Sequence, residues 1–174
     1  MERSDTPVAI RPIDWRSSLN TQILDFGPFS AIVAEGWDDL TSTLEQPNAP
    51  LTIGDAESGV GAMQFSPAMY KSGPLPSVTT EALFWLLDDF ALTRGLTMAF
   101  ERENYPGSNY LVGQSFRDGG DFIRVWYASN GKSFLLITYV CDWSRKDVEA
   151  SQREMTVRSI RFNEPAPNVG TKWR

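Results

Sequence analysis

At 174 residues the chain is long enough to bury a full hydrophobic core as one domain, and its 41% apolar and 22% charged content is typical of a globular protein. Its formal net charge of −6 argues against a general nucleic-acid-binding protein. The sequence contains no histidine, which removes the usual general base near neutral pH, the Ser-His-Asp and Cys-His arrangements, and zinc sites built from imidazole.

Acidic residues are concentrated in the first part of the chain. Residues 1–100 contain 5 Lys and Arg against 13 Asp and Glu, whereas residues 101–174 contain 11 against 9. The net charge is therefore −8 in the first part and +2 in the second. Such an excess is compatible with steering towards a basic partner, and also with a simple role in solubility.

The single cysteine, Cys141, excludes an intramolecular disulfide, and we interpret it as a buried, inert thiol at the end of an apolar strand. No apolar stretch reaches the roughly 18 residues that a membrane-spanning helix needs. The N-terminal sequence lacks the apolar core of a secretory signal. We therefore expect a cytoplasmic protein that does not enter a membrane.

In chain order, residues 1–20 show no periodicity and predict an extended lead-in. Residues 21–163 are predicted to form a single domain. Its first strand is the apolar run at residues 29–34, and residues 51–54 and 59–65 predict two further strands around a turn.

The glycines at the start of the third predicted strand do not indicate a phosphate-binding loop. Gly59 and Gly61 lack the third glycine of that motif, and strand-like residues follow where a helix should begin. Nucleotide binding at this point is therefore not expected.

Residues 79–93 predict the clearest helix. Thr79 or Thr80 can cap its first free N–H groups, and Gly95 is placed to end it. Apolar residues recur at helical spacing on one side, namely Ala82, Leu83, Leu86, Leu87, Phe90 and Ala91. This side is expected to pack on the sheet.

Residues 96–105 predict a strand that leads into a three-strand antiparallel meander over residues 108–142. Gly119-Gly120 and Asn130-Gly131 predict two-residue turns, the second being the stronger hairpin signal. With those loops, Phe116 lies opposite Ile123 and Tyr127 opposite Phe134.

The predicted register separates the side chains of the meander into two faces. One face is almost entirely apolar and must be covered. The other mixes aromatic, aliphatic and cationic side chains, including Arg117, Arg124, Trp126 and Tyr139. On this mixed face Gly113 lies opposite Trp126, where the missing side chain leaves room for the indole.

Residues 144–157 predict a second helix that opens with a capping box at Ser144. Three opposite-charge pairs are expected on its outer face: Arg145–Glu149, Glu149–Arg153 and Glu154–Arg158. Residues 158–162 predict a short closing strand, and residues 164–174 a mobile tail.

These elements predict an α+β fold in which a twisted antiparallel sheet of about six to seven strands carries two main helices. The segment Gly59–Ser66, the meander with its Asn130-Gly131 turn, and the ending Val157–Phe162 together resemble the PsbP-like superfamily. That superfamily also includes DcrB-type bacterial proteins and a Ran-binding nuclear-import factor. The resemblance implies a protein-binding function without catalysis, and similarity to small bacterial immunity proteins that block a cognate toxin.

No catalytic residue, metal site or cofactor is predicted. The adjacent carboxylates Asp38-Asp39 and Asp88-Asp89 diverge on a strand or a helix, so neither pair converges on a substrate. Asp118 and Asp121 flank a glycine turn and are interpreted as ordinary turn residues.

Two surfaces are candidates for binding another protein, such as a basic toxin. The first surface is acidic and aromatic and consists of Glu35, Trp37, Asp38, Asp39 and Tyr70. The second is the mixed face of the meander, with Arg117, Arg124, Trp126 and Tyr139. Each surface also has an interpretation without a partner. The first can be an ordinary solvated rim, and the second can be covered by a helix or the chain ends, with Arg124 stacked on Trp126.

Two other functions remain open. One is a small-ligand or lipid carrier with a pocket between sheet and helix lined by Phe84, Trp85 and Phe116. The other is a hydrolase that uses two carboxylates from distant segments, about 5–10 Å apart in one cleft.

Overall fold

The computed structural model describes residues 20–45, 48–107 and 109–163. In this part of the chain there are ten strands and two α-helices. The strands are β1 (Thr21–Asp25), β2 (Phe29–Ala34), β3 (Trp37–Asp39), β4 (Leu51–Asp55), β5 (Gly61–Ala68), β6 (Met98–Asn104), β7 (Tyr110–Asp118), β8 (Asp121–Ser129), β9 (Phe134–Asp142) and β10 (Arg161–Phe162). Helix α1 (Thr80–Thr93) follows β5, and helix α2 (Ala150–Ser159) follows β9.

The strands form two antiparallel sheets. Seven of them make a large sheet in the order β3-β4-β5-β9-β8-β7-β6, and three make a small sheet in the order β1-β2-β10. The predicted α+β class is therefore confirmed. The predicted tail at 164–174, and all of the predicted lead-in at 1–20 except Asn20, lie outside the described residues, so that division of the chain stays a prediction. Neither helix has the length and hydrophobicity needed to cross a membrane.

The mixed face of the meander forms the larger core. Strand β2 and helix α2 pack against it, burying Phe29 and Met155 together with Trp126 and Tyr139. Gly113 pairs with Trp126 as predicted, and an ideal Cβ at Gly113 would lie 2.6 Å from the indole Cδ1. The mixed face is therefore covered by other elements of the chain, as the alternative without a binding role predicts.

Helix α1 covers the apolar face of the meander. Thr79 caps the helix by accepting a hydrogen bond from the N–H of Ala82. The side chains buried between helix and sheet are Leu83, Leu87, Phe90, Val112, Phe116 and Val125. They fill this interface, and the residues named for the alternative carrier pocket, Phe84, Trp85 and Phe116, do not line a common cavity there. Phe116 is part of the core, whereas Trp85 is exposed on the far side of the helix.

One of the two meander turns differs from the prediction. Gly119-Gly120 forms the expected two-residue loop, with Asp118 opposite Asp121. The second hairpin has a four-residue loop, because the Asn130 side chain accepts hydrogen bonds from the N–H groups of Lys132 and Ser133. Tyr127 therefore pairs with Leu136 and not with Phe134. A shift of two residues leaves every side chain on its predicted face.

The start of the second helix also differs. Asp142 caps a short 3-10 turn over Trp143–Arg145, and the α-helix begins only at Ala150. Glu149 and Arg153 are buried, so the predicted outer-face pairs that involve them are wrong. Glu154 and Arg158 do approach each other, with 3.8 Å between carboxylate and guanidinium.

A β-bulge interrupts the last strand of the large sheet. The register between β6 and β7 shifts between Phe100 and Glu103, and Glu101 has a positive φ of 48°. The Glu101 carbonyl oxygen accepts a hydrogen bond of 2.6 Å from the Arg124 guanidinium. The bulge therefore turns a backbone acceptor inwards and is held by a buried cation.

Candidate functional site

The nine residues predicted to bind a partner lie in three different settings. Glu35, Asp38 and Asp39 are exposed. Tyr70 and Arg117 are half-buried. The side chains that belong to the core are Trp37, Arg124, Trp126 and Tyr139, each at most 3% exposed. These four therefore cannot contact a partner directly in this fold.

Glu35, Asp38 and Asp39 line one end of the large sheet, and we call these three residues the acidic edge. Strand β3 is the outermost strand there and pairs only with β4, with Trp37 opposite Asp55. Trp37 is 2% exposed and fixes the strand to the core. Alternation along the strand turns Asp38 to the face opposite Trp37, whereas Asp39 is the last residue of β3 and Glu35 lies in the turn before it; all three are exposed.

The carboxylates of the acidic edge are not neutralised by basic side chains. In the described ranges, no Lys or Arg nitrogen lies within salt-bridge distance of any of the three. Asp39 accepts a hydrogen bond of 2.8 Å from the N–H of Thr41, and the Gln22 amide approaches Asp38 at 3.5 Å. The sequence contains no Lys or Arg between Arg16 and Lys71. The edge therefore presents a negative field to an approaching molecule.

Tyr70 and Arg117 have structural partners. The Tyr70 N–H donates to the Ser133 hydroxyl at 3.1 Å, and the Tyr70 hydroxyl donates to the carbonyl of Gly73. The Arg117 guanidinium lies over the Trp143 ring at 4.5 Å. Both residues are near loops at the ends of the meander, and neither lies on β3.

Arg124 is the centre of a buried polar network. Its guanidinium donates to the Ser115 hydroxyl at 3.0 Å, the Glu103 carboxylate at 2.8 Å and the Tyr105 hydroxyl at 2.6 Å, and it lies 5.5 Å from the Trp126 ring. A cation this deeply buried needs such partners. The structure thus assigns Arg124 a role in joining β6 to the meander.

Glu149 holds the region before α2 against the β4–β5 hairpin. Its carboxylate accepts hydrogen bonds from the N–H groups of Val60 at 3.1 Å and Gly61 at 3.2 Å, and from the Tyr139 hydroxyl at 2.7 Å. Burial, followed by this hydrogen bond to Glu149, raises the pKa of Tyr139. An ideal Cβ at Gly61 would lie 2.5 Å from the Tyr139 ring, so only glycine fits there. We call this arrangement the Glu149 clasp.

A groove of 980 Å³ runs beside α2. Its lining includes apolar side chains from the core and a few polar groups, among them Tyr105, Asn109, Glu154 and Arg158. Burial raises the pKa of the Glu154 carboxyl and of the Tyr105 hydroxyl. Sequence reasoning missed this groove because its walls come from β1, β2, the β6–β7 connection and α2, which no local pattern brings together.

Two further carboxylates, those of Asp55 and Asp88, are bound to protein groups. Asp55 accepts hydrogen bonds from Ser58 and the N–H of Glu57, which lower its pKa. Asp88 is paired with Arg102 and also has a lowered pKa. Among residues 20–45, 48–107 and 109–163, no cluster of three or more His, Cys, Asp or Glu could hold a metal ion.

The fold is one found in known structures. No protein-family model and no curated protein matches the sequence. The Ran-binding protein Mog1p of Saccharomyces cerevisiae is similar with a TM-score of 0.57 and 12% identity, over 83% of this chain and 96% of that one. The cyanobacterial PsbP protein (CyanoP) of Synechocystis sp. PCC 6803 is similar with a TM-score of 0.54 and 12% identity, over 92% and 98%. A Bacteroides thetaiotaomicron protein follows with a TM-score of 0.53 and 12% identity, over 83% of this chain and 48% of that one.

At 12% identity these likenesses concern the fold alone. The PsbP-like fold implied by the resemblance is therefore confirmed. The resemblance to immunity proteins stays a prediction.

Proposed function

We propose that the chain is a non-catalytic protein-binding module whose acidic edge receives a basic partner. The observation that carries this proposal is the set of exposed carboxylates Glu35, Asp38 and Asp39, which have no Lys or Arg within salt-bridge distance in the described ranges and lie on, or in the turn just before, a strand anchored by the buried Trp37. Carboxylates held in this way keep their charge available, and such surfaces accelerate and orient association with a cationic protein.

Two further facts support a protein partner. Mog1p, which shares the fold, is a Ran-binding protein. The residues that looked most like surface anchors, Arg124, Trp126 and Tyr139, are used inside the core, which leaves charge as the main feature of the exposed edge. We propose that the partner is a cognate bacterial toxin with a basic surface and that the chain acts in the cytoplasm as its immunity protein, without contacting membrane or nucleic acid.

Co-expression with the product of the adjacent open reading frame tests this proposal. We expect the chain to restore growth and to co-purify with that product. The double variant Asp38→Lys with Asp39→Lys should abolish both effects, whereas Asp118→Lys, an exposed charge reversal at the Gly119-Gly120 turn, should not. Failure of the wild-type chain to rescue or co-purify would overturn the immunity role. Binding that survives the double variant would exclude the acidic edge.

A second candidate function is the binding of a small ligand in the groove beside α2. Its volume of 980 Å³ is within the range of small-molecule sites, and its apolar floor carries a few polar groups, as such sites do. Native mass spectrometry of the purified chain tests this directly. A reproducible bound mass that is lost in Ser151→Trp, which adds an indole at an exposed position of the groove lining, would favour the carrier over the protein-binding module; a bare polypeptide mass would remove the carrier.

A further inference from the structure

Helix α1 has two faces, and only one of them is explained by the core. Leu83, Leu87 and Phe90 are buried against the meander. On the far side Trp85 is 64% exposed and Leu92 is 80% exposed. The solvent side of an amphipathic helix is normally polar, so a tryptophan and a leucine there require an explanation.

Trp85 and Leu92 lie on one line of the helix surface. They are seven residues apart, which places them two turns and about 10 Å from each other on the same side. Glu81 and Asp89 lie one turn before and one turn after Trp85. In the described part of the chain neither carboxylate has a basic side chain within salt-bridge distance. We call these four residues the α1 patch.

The border of the patch is fixed by Arg102 of β6. Its guanidinium donates to both oxygens of Asp88, at 2.5 and 3.1 Å, and lies 4.4 Å from the Phe84 ring. These contacts hold the helix against the last strand of the sheet. The exposed line is therefore a preformed surface, since its backbone does not have to be ordered when a partner binds.

We propose that the α1 patch is a second docking surface, which receives a basic amphipathic helix of a partner protein. Trp85 and Leu92, two turns apart, can contact apolar residues that lie two turns apart on such a helix. Glu81 and Asp89 can form ion pairs with Lys or Arg beside those residues. Tryptophan is among the residues that contribute most to binding at interfaces. The patch is at the opposite end of the sheet from the acidic edge, because α1 packs on β7 and β8 whereas β3 is the far outer strand.

The charges argue against two other occupants. A second copy of the chain, packed helix against helix, would bring the carboxylates of Glu81 and Asp89 close to the same carboxylates of the other copy. An anionic membrane surface would repel the same groups. A cationic polypeptide is the occupant that both the apolar line and the carboxylates favour.

The test uses the full chain and a synthetic amphipathic peptide as the probe. The peptide has the 14-residue length of α1, with two leucines seven residues apart and lysines on both flanks. Backbone amide NMR shifts of the isotope-labelled chain should change saturably at residues 81–92. Affinity should fall by about tenfold or more in Trp85→Ala and in Leu92→Ala. The matched control is Val148→Ala, which shortens an apolar side chain outside α1 that is 58% exposed, and this variant should bind as the wild type does.

Several outcomes of this titration, and of sedimentation of the same chain, would overturn the proposal. A peptide with glutamates in place of the lysines should not bind, and equal binding of the two peptides would exclude charge recognition. Shifts centred on β3, unchanged affinity in both α1 variants, or no saturable shift would each refute the assignment. Concentration-dependent sedimentation that disappears in Trp85→Ala would identify a second copy as the occupant. The variant with Asp38→Lys and Asp39→Lys should bind the peptide normally, so failure of the acidic-edge function would be recognised separately.

Discussion

Replacing Glu149 by alanine tests how strongly the Glu149 clasp holds the region before α2 against the β4–β5 hairpin. The carboxylate accepts hydrogen bonds from Val60, Gly61 and Tyr139 at 2.7–3.2 Å. Glu149→Ala leaves these three donors without a partner, and each buried unsatisfied group costs about 1–3 kcal/mol. The contacts with Val60 and Gly61 are only partly buried and a depression lies beside them, so we expect a loss near the lower end, about 3–5 kcal/mol. That is a large part of the roughly 5–15 kcal/mol stability of a domain.

Urea unfolding followed by circular dichroism measures this loss, provided that the slope of the transition is the same in each variant. Glu149→Gln keeps the volume but presents an amide to backbone donors, so it should fall between the wild type and Glu149→Ala. The matched control is Gln152→Ala, which lines the same depression and should change stability by less than about 1 kcal/mol. A loss under about 1 kcal/mol in Glu149→Ala would refute the clasp as a stabilising contact.

Three other variants or reagents test the core. Gly113→Ala places a methyl group 2.6 Å from Trp126 and should destabilise by about 1–3 kcal/mol in the same urea assay, whereas Gly120→Ala, with nothing within 4 Å of its ideal Cβ, should be nearly neutral; equal effects would contradict the predicted close contact. The folded chain holds the Glu154 proton more tightly than the unfolded chain does, so this group lowers stability as the pH rises above the ordinary carboxyl range. Glu154→Gln should therefore flatten the fall of Tm as the pH rises above the ordinary carboxyl range, and coincident wild-type and variant profiles would show that the raised pKa has no such effect. Burial also raises the pKa of the Cys141 thiol, so an aromatic disulfide reagent should label it slowly in buffer and rapidly in urea, and rapid labelling in buffer would show that it is accessible.

The faces of the meander and the position of α1 could be predicted because they depend on local patterns. Alternation of period two placed each meander side chain on the correct face, and the capped apolar stripe after Thr79 located α1. The second hairpin loop escaped prediction because the Asn130 side chain competes with the backbone for the turn hydrogen bonds.

The candidate site was only partly predictable. The exposure of Glu35, Asp38 and Asp39 follows from their position in a turn and on an outer strand. The burial of Arg124 does not follow from its neighbours in sequence, because the groups that stabilise its charge come from Glu103 and Tyr105 on a different segment. Glu149 has charges four residues away on both sides, which indicates an outer face, but a contact with Val60 overrides that local pattern.

The bulge at Glu101 affects how the protein behaves at high concentration. An uninterrupted outer strand offers a row of free amide and carbonyl groups to which a neighbouring molecule can add its own strand. In β6 that row is broken where the Glu101 carbonyl is drawn towards Arg124, and the residues around the break are charged. Stacking of molecules into fibrils along this border is therefore disfavoured, and the protection is built from the same arginine that stabilises the interior.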